Sequence, residues 1–152
     1  DAELRFLIDE LVLPLAERIA PEAVVITCGA DALAGDPLAS MALGNVALWD
    51  VIERLVAVAP YAVVLGGGGY NPWTLARYWT GIWGRLSRRP IPQRLPENAS
   101  AVLRGLACDL IDDEDVDPRW ITTLADEGSD ARVREEVLAL RDRAMPRICA
   151  VA

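Results

Sequence analysis

The chain has 152 residues, 53% of them hydrophobic and 25% charged, a composition that suits one globular domain. A net charge of −8 excludes nucleic acid as the main partner, and no apolar run is long enough for a membrane span. All fifteen basic residues are arginine and there is no histidine; the three cysteines form no CxxC and read as reduced thiols of a cytoplasmic protein.

The chain opens at Asp1, without a methionine, just before a helical pattern, and so reads as a fragment. Leu4, Ile8, Leu11, Leu15 and Ile19 recur at helical spacing, with Leu7 and Val12 widening the stripe. Pro14 removes one intrahelical bond and is expected to kink or split this helix near Val12, and Pro21 ends it. Ala23–Thr27 is short, apolar and β-branched, which predicts a buried parallel strand. A loop with two carboxylates follows, Cys28-Gly-Ala-Asp31-Ala-Leu-Ala-Gly-Asp36-Pro-Leu38. Asn45 is expected to cap a helix through about Val58, with Val46, Trp49, Ile52 and Val56 inward.

Ala62–Leu65 is a second apolar run, expected to be covered on both faces. Four glycines follow, then Tyr70, Asn71 and Pro72. Glycines in series let the backbone take unusual angles and let another group approach closely. Asn71 can cap a helix and Pro72 fits its first position. Tyr70 is thereby expected at the carboxyl end of a strand, where open α/β sheets bind ligands. Leu75, Ala76, Trp79, Ile82, Trp83 and Leu86 form a wide apolar stripe, suited to core packing or, less commonly, to stacking on an aromatic ligand. Between Glu53 and Glu97 there is no acid but six arginines, at 54, 77, 85, 88, 89 and 94. These read either as solvated helix ends and a loop, or as a surface for anions. A short helix is expected over 99–107 with Val102, Leu103 and Leu106 inward, and an acidic surface loop over 109–117. Trp120 and Ile121 are placed as anchors of the tail, and 130–143 as a charged helix. The order strand, loop, helix, strand, loop, helix predicts an α/β fold with a parallel sheet.

Three stretches together resemble the zinc-dependent histone deacetylase family: Cys28–Leu38, Leu65–Asn71, and Ala76-Arg-Tyr-Trp-Thr80. The resemblance is nearest to the bacterial acetoin-utilisation deacetylase branch and extends over residues 1–125. It implies the carboxyl-terminal part of a three-layer, arginase/deacetylase-like domain, with 126–152 as a charged helical tail. Residue by residue, it implies that Asp31 is a zinc ligand and that Tyr70 hydrogen-bonds the acyl carbonyl and stabilises its oxyanion. Gly68 and Leu38 match positions lining the acyl-lysine tunnel. Without the resemblance, Asp31 could equally cap a turn and Tyr70 could equally pack. Asp36, before Pro37, reads as turn chemistry, and Cys28 as a small residue beside the site.

The family's site also needs an Asp-x-His pair and tandem histidines, which this chain lacks. The expectation is that they belong to a missing amino-terminal segment and that these residues alone are inactive. The implied cofactor is zinc or another divalent metal, and the implied partner an acetylated protein or small acetylated amine. Two other readings stand beside this one. A glycine loop between strand and helix can cradle phosphate, although neither G-x-G-x-x-G nor Gly-Lys-Ser/Thr is present. A non-catalytic, deacetylase-like binding protein is the other.

Overall fold

The computed structural model describes residues 1–126, 128 and 131–150. The opening stripe forms α1 (Ala2–Leu7), a π-helical turn (Ile8–Val12) and α2 (Leu13–Ile19). Pro14 has no N–H, and its ring would collide with the carbonyl four residues earlier in a regular helix. The wider π turn accommodates that misfit, so the expected interruption near Val12 takes this form. Ala20, at φ 47°, closes α2 ahead of Pro21.

Strands β1 (Ala23–Cys28) and β2 (Tyr61–Gly66) pair in parallel, in register from Ala23–Tyr61 to Cys28–Gly66. Helix α3 (Asn45–Val56) joins them and packs on both. Among the described residues the sheet has these two strands. Burial on both faces, as expected from the unbroken apolar runs, is not what forms. Strand side chains alternate, and α3 covers one face only. Ile26 is buried and Val64 packs against the core, whereas Val25 is 65% exposed and Val63 52% on the opposite face.

The main core gathers Ala30, Leu33, Trp49, Ile52, Tyr78, Ile82 and Leu124. Helix α4 (Pro72–Leu86) is rotated partly away from the face its sequence suggests: Ile82 is in the core and Leu75 and Trp79 pack against it as expected, but the rest of the stripe is not buried. Its buried residues are Trp73, Thr74, Arg77, Tyr78, Gly81, Ile82 and Gly84, while Ala76, Leu86 and Trp83 are exposed. Gly81 explains the rotation. A Cβ there would lie 1.9 Å from Cζ2 of Trp49, so the helices meet where α4 has no side chain. Trp49 then donates its indole N–H to the Tyr78 carbonyl at 2.9 Å.

Asn45 does not cap α3. Gly44 holds the cap position, and the Asn45 amide instead bridges to the Leu124 carbonyl and the Asp126 N–H. Helix α5 (Glu97–Arg104) starts two residues before its expected place, with Leu103 buried and Val102 exposed. Within the acidic loop, Asp113–Asp115 make a 3-10 turn. Trp120, on α6 (Pro118–Thr122), is buried as expected and stacks on Trp73 at 6.4 Å between ring centres. The charged tail helix is α7 (Glu135–Cys149); Asp130, its expected start, lies outside the described residues. It returns to the first helices through Arg134–Glu3 and Arg141–Glu10 ion pairs. No helix of the described residues is long and apolar enough to cross a membrane.

Candidate active site

The two motif loops leave the carboxyl ends of neighbouring parallel strands, and they interlock. The Ala30 N–H donates to the Gly68 carbonyl at 2.7 Å. A Cβ on Gly67 would lie 2.9 Å from the Gly29 Cα, which leaves no room for a side chain between the backbones. The Asp31 carboxylate is held in this junction. A Cβ on Gly29 would sit 2.3 Å from its Oδ1, and one on Gly68 2.2 Å from its Oδ2. These glycines are therefore required by what approaches them, as four in series suggested.

Tyr70 follows immediately. Gly69 before it has φ 148°, and Asn71 after it caps α4 through Oδ1, accepting the Trp73 and Thr74 N–H groups at 3.0 and 3.2 Å. Tyr70 is 45% exposed. Leu38 is 62% exposed. The structure thus brings Asp31 and Gly68 into contact and ties Leu38 and Tyr70 to one group that sequence reasoning read as a turn former. That group is Asp36. Its Oδ1 accepts the Leu38 N–H at 3.0 Å, and its Oδ2 accepts the Tyr70 N–H at 2.6 Å and the Asn71 N–H at 3.3 Å.

Near the junction lies Tyr78, part of the third motif stretch but given no site role by the sequence. Its hydroxyl is buried and, among the described residues, has no hydrogen-bond partner of normal geometry. Burial pushes its pKa far up, and the neighbouring Cys28 sulfur and Asp31 carboxylate add to the shift. Burial likewise raises the Cys28 thiol, against an opposing hydrogen bond from Tyr78.

Arg77 was missed as well. Read among solvated or anion-binding arginines, it is 1% exposed and forms a forked pair with Asp126 at 2.6 and 2.8 Å. Its Nε donates to the Thr123 carbonyl at 2.7 Å. Arg54 and Arg85 also have acidic partners, in Asp9 and in Asp50 and Glu53. Three of the six arginines of the acid-free span thus have acidic partners elsewhere in the chain, while Arg88, Arg89 and Arg94 are exposed, as the solvated reading expects.

The nearby cavity of about 210 Å³ is lined by Gly35, Asn45, Trp120 and Asp126 among others and includes neither Asp31 nor Tyr70. The donor set bears on zinc directly. A carboxylate such as that of Asp31 is a suitable kind of zinc ligand, but among the described residues no group of three or more His, Cys, Asp or Glu could hold a metal ion. These residues do not by themselves fit a complete zinc site.

The family model "Histone deacetylase domain" matches residues 1–86, a span containing both interlocked loops. The chain belongs to the histone deacetylase family. Histone deacetylase 8 of Danio rerio is 35% identical over 78 residues, 51% of this chain and 21% of that protein. Histone deacetylase HOS1 of Saccharomyces cerevisiae is 38% identical over 82 residues, 53% of this chain and 17% of that protein. Among solved structures, an HDAC homolog from Aquifex aeolicus superposes with a TM-score of 0.75 at 33% identity, covering 90% of this chain and 38% of that one. An HDAC homolog complexed with SAHA gives 0.73 at 32% identity, with the same coverage. The α/β fold with its parallel sheet is thus the histone deacetylase fold. The chain spans well under half the length of these relatives.

Proposed function

We propose that this chain is the carboxyl-terminal catalytic part of a zinc-dependent deacetylase that hydrolyses an acetyl-lysine amide or a related acetylated amine. The observation that carries the reading is the interlocked junction: the Asp31 carboxylate packs against Gly29 and Gly68, and an exposed tyrosine, Tyr70, follows Gly68 two residues on. Asp31 serves as one zinc ligand. A zinc ion held there, with ligands from outside this chain, would supply Lewis-acid chemistry for amide hydrolysis. Tyr70 donates its hydroxyl proton in a hydrogen bond to the acyl oxygen and stabilises it as charge develops there. Gly68 and Leu38 line the path of the acyl-lysine.

The chain supplies no histidine, so the remaining ligands and the proton-transferring base come from a preceding segment, and this part alone is inactive. The proposal places the protein in the bacterial acetoin-utilisation branch and in the cytoplasm. The phosphate-binding alternative loses its site. A phosphate would need the N–H groups at the start of α4, and Asp36 and Asn71 already occupy four of them. An anion would also meet the Asp36 carboxylate there.

The full-length protein tests the reading. It is expected to hold about one zinc ion per chain. Tyr70→Phe is expected to lower kcat on an acetyl-lysine peptide by about 10²- to 10³-fold with zinc still bound. An unchanged kcat would remove Tyr70 from the mechanism. A protein that binds no zinc and deacetylates nothing would favour the non-catalytic reading.

A further inference from the structure

We infer that Asp36 is a positioning residue whose carboxylate sets the aim of the Tyr70 hydroxyl, an inference that rests on reading Tyr70 as the oxyanion donor. The two oxygens of Asp36 do different work. Oδ1 makes the local turn, accepting the N–H of Leu38 two residues on. A turn of that kind needs one oxygen and no charge, and asparagine or serine would serve it. Oδ2 crosses 34 residues of sequence to the Tyr70 N–H, at 2.6 Å, and also takes the Asn71 N–H.

Asp36 is only 6% exposed, and a carboxylate buried to that degree is costly unless several donors and a favourable field surround it. The start of α4 supplies both: successive backbone N–H groups and the positive end of the helix dipole. A neutral turn former would not need that arrangement.

Tyr70 is 45% exposed, so packing covers only part of it and the backbone beneath it contributes to where the phenol points. That backbone is held on each side. Gly69 enters with φ 148°, a geometry disfavoured for any other residue, and a Cβ there would meet the Ala30 Cβ at 2.9 Å. The Tyr70 carbonyl accepts the Cys108 thiol at 3.7 Å. The Asn71 side chain donates to the Gly35 carbonyl at 2.9 Å, which ties the same segment to the residue before Asp36. Among these contacts, only the Asp36 bond is charged and made to the Tyr70 amide itself. Moving that amide swings the phenol at the end of a long lever, and misplacement by about 1 Å is enough to cost about 10²-fold in rate.

The test is a double-mutant cycle in the zinc-loaded, full-length protein: wild type, Asp36→Asn, Tyr70→Phe and both together. The readouts are kcat and KM on an acetyl-lysine peptide, zinc content and the thermal transition. Asp36→Asn replaces one accepting oxygen with an NH2 group and is expected to lower kcat about tenfold or more, with zinc content unchanged and KM within about threefold. In the Tyr70→Phe background the same substitution is expected to lower the residual rate by less than about threefold, because the hydroxyl it positions is gone. Equal losses in the two backgrounds would show that Asp36 acts through the fold at large and would overturn the inference, as would no loss at all. If Tyr70→Phe itself leaves kcat unchanged, the oxyanion reading fails and the inference falls with it. Should Asp36→Asn fail to fold, Asp36→Glu keeps the charge at the helix start, displaces the acceptor by one methylene and carries the same cycle.

Discussion

The carboxyl ends of β1 and β2 and the outer face of the same two strands are built to opposite standards. At the ends, the loops approach so closely that Gly29, Gly67 and Gly68 have no space for a methyl group. A few residues away, Val25, Val63, Leu65 and Tyr61 form an apolar strip that the described residues leave open, at 65, 52, 46 and 74% exposure. Both regions lie on one pair of strands with one register. The difference is that this chain's own contacts close the strand ends, while its described residues leave the outer face uncovered.

The covered side can be broken most severely at Arg77. Arg77→Ala would leave Asp126 without its forked partner and release the Thr123 carbonyl. Because Asp126 is partly exposed, the expected loss is about 3 kcal/mol, the lower end of the range for a broken buried pair, read from denaturant unfolding of the full-length protein. A loss within about 0.5 kcal/mol would mean that the pair is no clamp.

The junction itself is the next target. Gly68→Ala places a methyl where the Asp31 Oδ2 now lies, so the carboxylate must turn away. Zinc affinity in the full-length protein is expected to fall about 10- to 100-fold, measured by competition with a chelator. Wild-type affinity would show that Asp31 is not held for a metal. Asp31→Asn offers a check of the same kind, since it removes the ligand charge and leaves the loops their space.

A smaller effect sharpens the contrast from the open side. Val63→Thr is expected to change the stability of this chain alone by less than about 0.5 kcal/mol, since the side chain is already half exposed. In the full-length protein it is expected to cost about 1 kcal/mol, because the face would there be covered. Equal effects in the two settings would mean that the strip stays open in the whole molecule. Made alone, the chain is expected to self-associate through that strip and the free sheet edges, and size-exclusion chromatography with light scattering would detect it.

The smallest expected effect lies far from either region. Arg134 holds the Glu3 carboxyl down at about 2, against an ordinary value of 4.5. A depressed carboxylate contributes stability that is present above its unfolded pKa and lost as pH falls through its folded one. The Glu3–Arg134 contribution is therefore expected to be intact above pH 4.5 and to fade toward pH 2. Thermal midpoints of wild type and Arg134→Gln should converge over that window. Parallel curves would show that the pair contributes nothing; being at the surface, it is expected to contribute little.

The sequence by itself determined the features that rest on neighbouring residues. The β-branched runs made strands, Asn71 and Pro72 started α4 with the expected cap, and Pro14 disturbed the first helix where its missing N–H required. The glycine runs announced a close approach, and the motifs carried the family. What only tertiary structure decided are the pairings across long stretches of chain. Asp36 read as a turn former because its Oδ1 is one; its Oδ2 reaches a donor 34 residues away. Arg77 read as solvated because no acid lies near it in sequence, yet its partner stands 49 residues on. The face of α4 is only partly the expected one: Leu75, Trp79 and Ile82 pack inward, while Gly81 opposite Trp49 leaves Trp83 outside. Strand burial was misread for a related reason: an apolar run records that a face can be covered, while the elements packed around it decide whether it is.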